Sequence, residues 1–118
     1  MGICLDTCHL LAAGYDLVSE GGYEETFRAF GRIVGFSRLT LFHLNDSKRP
    51  LNSRVDRHEH IGLGAIGIEA FRRLVNDGRF AGMPMVIETP KTEALQRGRI
   101  VLDPLDQVNL SVLRGLVQ

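Results

Sequence analysis

Apolar segments of strand length alternate with amphipathic segments of helix length along the chain. The predicted strands cover residues 1–5, 39–44 and 85–88, which are short runs of mainly apolar side chains. The predicted helices cover residues 22–34, about 67–75 and 104 onward, where apolar residues recur every three or four positions. In the first helix this stripe consists of Tyr23, Phe27, Phe30 and Val34. Near-continuous apolar strands that alternate with such helices indicate an α/β fold with a parallel sheet.

The ends of the predicted helices carry residues that are typical of helix termini. Glu24 and Glu25 lie in the first turn of the first helix and Arg32 in its last turn, which suits the helix dipole. In the last helix, Asp103 is the predicted N-cap and Pro104 the first helical residue. Its predicted buried face consists of Leu105, Val108, Val112 and Leu116.

Three strands are few for a parallel sheet, because a three-stranded sheet leaves two bare edges. We therefore expect either that the sheet continues in another molecule or that the chain is the C-terminal piece of a larger parallel barrel. The chain enters an apolar strand by Ile3 with no lead-in, and this favours the second alternative.

The composition restricts function less than the motifs do. The 118 residues include 14 Lys and Arg and 14 Asp and Glu, so the zero net charge gives no general sign of nucleic-acid binding. No apolar run approaches the roughly 18 residues of a membrane span, so we expect no membrane partner. Cys4 and Cys8 lie too close together for a disulfide framework, and we therefore expect a cytoplasmic protein.

Acidic and imidazole side chains follow the predicted strands at their carboxyl ends. In parallel α/β barrels this rim holds the active site. Such a mixture of carboxylates and imidazoles is the ligand set expected of zinc or another divalent transition metal, and neither cysteine is needed. The six candidates are Asp6, His9, His43, Asp56, His58 and Glu88.

Each candidate also has an ordinary structural interpretation. Asp6 could cap a helix, His43 could be a hydrogen-bonded core histidine, and His58 could belong to a solvated loop. Glu88 is harder to dismiss, because a carboxylate at the end of an apolar strand is costly to bury without a partner. The joint occurrence of all six at one rim favours the metal site.

A polar segment of about 20 residues follows the second strand, and such a length usually indicates function or disorder. Between residues 47 and 60 it carries a local charge of +2, from four basic and two acidic side chains. Together with Ser47, the basic residues Lys48, Arg54 and Arg57 can contact phosphate oxygens. An ordinary charged loop is the alternative interpretation.

Four motifs resemble, in order, those of endonuclease IV, the zinc-dependent apurinic/apyrimidinic endonuclease family also called deoxyribonuclease IV. They are GICLDTCHLLAAGYD, HLNDSK, SRVDRHEHIGLGAIG and the strand ending VIET. The resemblance implies a partial TIM (β/α)8 barrel of the xylose-isomerase-like superfamily. Residues 1–118 would form the last three βα units, the C-terminal part of an incomplete domain.

The resemblance also implies a reaction, a cofactor and site roles. Members of that family hold three zinc ions and cleave the phosphodiester 5′ to an abasic site in double-stranded DNA, leaving a 3′-hydroxyl. By motif, Asp6, His43 and Glu88 would ligate one zinc of a close pair, and Asp6 and Glu88 would serve catalysis as ligands. His9, Asp56 and His58 would ligate the third zinc, and Arg57 would lie in a loop that approaches DNA. Manganese would satisfy the same ligands.

The resemblance thus implies a repair enzyme that is monomeric at full length, cytoplasmic and associated with the nucleoid. Two alternatives remain. A metal-dependent sugar isomerase or epimerase of the same superfamily would share the barrel and a His/Asp/Glu rim. The chain alone could instead bind zinc weakly and catalyse nothing, because the resemblance assigns a bridging glutamate and two further histidines to strands that precede it.

Overall fold

The computed structural model describes residues 2–90 and 104–118. The strands are β1 (Ile3–Asp6), β2 (Leu39–His43), β3 (Asp46–Ser47), β4 (His58–Glu59) and β5 (Met85–Val86). The α-helices are α1 (Thr7–Ala12), α2 (Glu20–Ile33), α3 (Ile68–Val75) and α4 (Pro104–Leu116). Single 3-10 turns at Phe36–Arg38 and Gly78–Phe80 precede β2 and β5.

The main sheet has the order β1-β2-β5 and is parallel throughout. Its register pairs Asp6 with His43 and His43 with Val86, so the carboxyl ends of all three strands lie side by side. The parallel sheet flanked by helices confirms the predicted α/β class. The third strand is shorter than predicted, because only Met85 and Val86 form ladder pairs.

One short helix and two short strands of the structure were not predicted from the sequence. α1 begins directly after β1, and the Asp6 side chain caps it by accepting from the amides of Cys8 and His9. Within the long polar segment, β3 and β4 form a short antiparallel pair that joins Ser47 to His58. The segment is therefore folded back on itself and not an open loop.

The core lies on the helical side of the main sheet and is rich in phenylalanine. Phe27 of α2, Phe42 of β2 and Phe80 meet edge to face, with ring centroids 4.8–6.1 Å apart. Such pairs add about 0.5–1.5 kcal/mol each beyond the burial of apolar surface. These contacts fix β2, and with it the rim of the sheet, against α2.

The helices differ from the predictions in one boundary and one buried residue. α2 begins at Glu20, two residues earlier than predicted, because the Ser19 side chain caps it through the amide of Gly22. The prediction that Val108 is buried is wrong, since it is 60% exposed, while Leu113 packs in the core. The predicted N-cap Asp103 lies outside the described residues. No helix among the described residues is long and apolar enough to cross a membrane.

Candidate metal site

The first group of candidate ligands lies where β1, β2 and β5 end. One ligand atom each from Asp6, His43 and Glu88 lies within 4.8 Å of the other two. His43 Nδ1 contacts Glu88 Oε1 without the geometry of a hydrogen bond, and this buried nitrogen has no hydrogen-bond partner among the described residues. A buried imidazole nitrogen without a hydrogen-bond partner, close to two carboxylates, belongs to the kind of donor set that binds a divalent cation. The residues present therefore fit a metal ion.

A second group lies beside the first and contains Cys8, Asp56 and His58, whose ligand atoms also lie within 4.8 Å of one another. His58 Nε2 joins the two groups, because it is 3.3 Å from Asp6 Oδ2 and 3.4 Å from Asp56 Oδ1. His9 Nδ1 approaches the second group from outside, 3.4 Å from Asp56 Oδ2. The structure thus places Cys8 beside Asp56 and His58, where the resemblance had implied His9 as the third ligand.

A hydrogen bond from Nδ1, the second ring nitrogen, orients His58. Its Nδ1 is 2.8 Å from the carbonyl oxygen of Glu88, which can only accept, so Nδ1 carries the hydrogen. In the neutral ring this leaves the Nε2 lone pair facing the carboxylates of Asp6 and Asp56. Metal-ligating histidines are commonly oriented in this way by a backbone carbonyl.

The Cys8 thiol is fully buried and positions the neighbouring segment. Its Sγ donates to the carbonyl oxygen of Arg57 at 3.3 Å. Burial, reinforced by the contact with Asp56, raises the pKa of the thiol to about 12. Burial also acts to raise the pKa of Asp56, but the polar contacts with Cys8 and His9 outweigh it, and that pKa is lowered. The second group therefore combines an ionised carboxylate with a protonated thiol.

Asp6 caps a helix and also lies in the candidate site. Its Oδ1 accepts from the amides of Cys8 and His9, at 2.9 and 3.2 Å, and so caps α1. Its Oδ2 faces His58 and accepts from the Asn45 side chain at 3.2 Å. One carboxylate therefore starts a helix with one oxygen and presents the other to the site.

The predicted DNA-contacting residues differ in accessibility. Lys48, Arg54 and Arg57 are exposed. Ser47 is fully buried and its hydroxyl donates to the carbonyl oxygen of Arg49, so this hydroxyl is not available to a phosphate. The amide of Arg54, whose φ is +62°, donates to the carbonyl oxygen of Ala12 and holds the basic segment against the end of α1.

An open cleft of about 340 Å³ lies over both groups, and its walls include Asp6, His9, His43, Asp56 and Glu88. Five of the six candidate ligands from the sequence thus line one accessible space at the carboxyl edge of a parallel sheet, and the sixth, His58, contacts two of them. This arrangement defines the class: an α/β protein with a candidate metal site on its strand ends.

The comparisons with known proteins identify the family. The model of the xylose isomerase-like TIM barrel family matches residues 1–107, and the chain belongs to this family. Probable endonuclease 4 from Chloroflexus aurantiacus is 56% identical over 118 residues, which are 100% of this chain and 39% of that relative. The probable endonuclease 4 of Geotalea daltonii is 50% identical over 117 residues, 99% of this chain and 38% of that relative.

A solved structure gives the same result. The crystal structure of endonuclease IV from Thermus thermophilus superposes with a TM-score of 0.80 at 37% identity, covering 98% of this chain and 38% of that one. The resemblance to endonuclease IV and the partial barrel expected from it are confirmed. The chain spans 39% of the length of the first of these curated relatives.

Proposed function

We propose that the chain is the C-terminal part of a zinc-dependent apurinic/apyrimidinic endonuclease that acts in base excision repair. The reaction would be hydrolysis of the phosphodiester 5′ to an abasic site, with a 3′-hydroxyl left on the DNA. One observation carries the proposal: two adjacent groups of ligand atoms are joined by the 3.3 Å contact between Asp6 Oδ2 and His58 Nε2, and carboxylates of both groups line one cleft. The similarity to proteins named endonuclease 4 supports it.

In this proposal the site residues divide by group. Asp6, His43 and Glu88 would hold one ion, and Asp56 and His58, with His9, would hold a second. When bound, zinc would supply Lewis-acid chemistry, lowering the pKa of a water molecule toward about 7 and withdrawing charge from the phosphate. Manganese would suit the same nitrogen and oxygen donors.

The remaining contribution of the chain would be to bind and orient DNA. The exposed cations Lys48, Arg54 and Arg57 belong to the same polar segment as Asp56 and His58 and carry charge of the sign that attracts a phosphate backbone. The open cleft would accept a nucleotide turned out of the base stack, and an abasic nucleotide is less costly to extrude than a paired one. Specificity would then follow from a pocket that accepts a sugar but excludes a base.

A complete barrel would cover the apolar groove beside β1. Within the described residues β1 pairs only with β2, and Ile3, Leu5, Leu10 and Phe30 line a groove of about 280 Å³ next to its free edge. We propose that further βα units occupy this place in a monomeric barrel, which the greater length of the relatives supports. On this proposal the 118-residue chain alone would bind zinc weakly and nick DNA negligibly.

The decisive assay uses the protein at its full natural length and a DNA duplex with one tetrahydrofuran abasic analogue. We expect one nick on the 5′ side of the analogue, loss of nicking after complete chelation, and recovery with zinc. Nicking that survives complete metal removal would refute the mechanism. Turnover of ketoses without nicking of this DNA would instead support the sugar isomerase alternative.

Two histidines of the polar segment provide a matched pair of variants. His58→Ala removes a candidate ligand and should lower kcat/KM by more than about 100-fold. His60→Ala removes a side chain whose Nδ1 accepts from Asn109 at 3.0 Å and which belongs to neither ligand group, so it should change kcat/KM less than about threefold. Equal losses in the two variants would contradict the assignment of His58.

A further inference from the structure

A buried asparagine links two candidate ligands of the first group. Asn45 is fully buried two residues after the end of β2. Its Oδ1 accepts from the backbone amide of Glu88 at 2.7 Å, and its Nδ2 donates to Asp6 Oδ2 at 3.2 Å. Because the Glu88 amide can only donate, the orientation of the Asn45 side-chain amide is determined by its surroundings.

The backbone of Asn45 is fixed as well. Its N–H donates to Thr7 Oγ1 at 2.9 Å, and the same hydroxyl donates to the Asn45 carbonyl oxygen at 2.6 Å. Thr7 is itself fully buried in the first turn of α1. The asparagine is therefore immobilised at both its backbone and its side chain before it contacts Asp6 and Glu88.

Glu88 depends on such support because it follows a strand of only two residues. Its side chain is 53% exposed, so packing restrains it little. Asn45 holds the amide of Glu88, and His58 Nδ1 holds its carbonyl oxygen at 2.8 Å. The backbone position from which the Glu88 carboxylate extends is thus set by hydrogen bonds to the peptide groups that flank its Cα.

From this geometry we propose that Asn45 is a positioning residue that sets the separation of the Asp6 and Glu88 carboxylates for a shared divalent cation. The inference rests on the proposed metal site and extends it to a residue that touches neither substrate nor ion. Removal of a partner that orients a metal ligand typically weakens metal binding by about 10- to 100-fold. Asn45 restrains two ligands at once, so we expect its loss to lie within this range.

A second buried asparagine allows the positioning role to be separated from a merely structural one. Asn109 of α4 is also fully buried; its Oδ1 accepts from the Ile61 amide at 2.8 Å, and its Nδ2 donates to the Leu105 carbonyl oxygen at 2.9 Å. Nδ2 also contacts Thr89 Oγ1 and His60 Nδ1, and neither of these residues is a candidate ligand. Asn45 and Asn109 therefore match in residue type and burial and differ in what they hold.

The experiment compares Asn45→Ala with Asn109→Ala in the protein at its full natural length. Zinc affinity is measured by competition with a chromophoric chelator, and thermal stability by circular dichroism. We expect both variants to melt at a lower temperature, Asn45→Ala to bind zinc about 10- to 100-fold more weakly, and Asn109→Ala to stay within about twofold of the parent. An Asn45→Ala variant with unchanged zinc affinity, or equal losses in both variants, would overturn the inference.

A measurement on the unsubstituted protein keeps the inference testable if Asn45→Ala does not fold. In nitrogen-15 NMR spectra, addition of zinc should shift the side-chain amide resonances of Asn45 and leave those of Asn109 in place. Unchanged Asn45 resonances despite bound zinc would overturn the role of Asn45 but leave the proposed function standing. A parent protein that binds no zinc would overturn both.

Discussion

The polar segment between β2 and α3 owes its order to one buried carboxylate, and this gives a quantitative prediction. Asp46 is fully buried, yet the structure pairs it with no basic side chain among the described residues. Its two oxygens instead accept from backbone amides, at 2.8–3.3 Å. The donors are Ser47, Gly62, Gly64, Ile66 and Gly67.

The loss of stability expected for Asp46→Asn follows from how the five hydrogen bonds divide between the two carboxylate oxygens. Oδ1 accepts two of them and Oδ2 accepts three, whereas an asparagine has only one acceptor oxygen. In its better orientation, the asparagine side chain keeps the three hydrogen bonds of Oδ2. Its NH2 group then replaces Oδ1 and faces two backbone N–H groups, to which it cannot bond. Each buried amide left without a partner costs about 1–3 kcal/mol, so we expect a loss of about 4 kcal/mol. This is a large part of the roughly 5–15 kcal/mol that stabilise a typical domain.

The assay is urea unfolding of the parent and the variant, followed by circular dichroism. Amide hydrogen exchange should report the same loss locally, as faster exchange at Ser47 and Ile66, whose amides lose their acceptor. Asp16→Asn is a control, because Asp16 also accepts from two backbone amides, those of Val18 and Ser19, but is only partly buried, and it should cost less than about 1 kcal/mol. A loss below about 1 kcal/mol for Asp46→Asn, or unchanged exchange at these amides, would refute the reasoning.

Three further predictions concern packing and pH. Gly64→Ala should cost about 2–3 kcal/mol, because the new Cβ would lie 2.3 Å from the backbone oxygen of Ser47; unfolding midpoints measure this, and a neutral effect would contradict the close approach. Phe27→Ala should cost about 3–5 kcal/mol in the same assay, since the ring is fully buried among aromatic neighbours, and a loss below about 1 kcal/mol would contradict that packing. Burial acts to raise the pKa of Asp77, but hydrogen bonds from Arg79 and Tyr23 outweigh it, so the pKa is lowered in the folded state. The folded state then binds a proton less readily than the unfolded state, and the stabilisation is present above about pH 4 and lost below it. The difference in melting temperature between parent and Asp77→Asn should therefore shrink from about pH 7 to about pH 3; a constant difference would contradict this.

The main strands and helices were predictable because a local pattern of apolar residues marks each of them. β2 and α3 begin and end within two residues of the predicted positions, since β2 is a near-continuous apolar run and α3 carries apolar residues every three or four positions. α1 has only six residues, too few for a helical period to be recognised. The pair of β3 and β4 consists of polar residues held by Asp46, and a contact between positions 46 and 67 leaves no local trace in the sequence.

The unpredicted helix α1 also explains why Cys8 and His9 occupy different sides of the second group. Successive residues of an α-helix point about 100° apart, so two adjacent side chains cannot face the same space. α1 begins directly after Asp6, which places Cys8 inside and leaves the His9 side chain 69% exposed. His9 consequently reaches the group only through the outer oxygen of Asp56. The motif names the residue types of the site, but the residue at which the helix starts decides which side chain is enclosed.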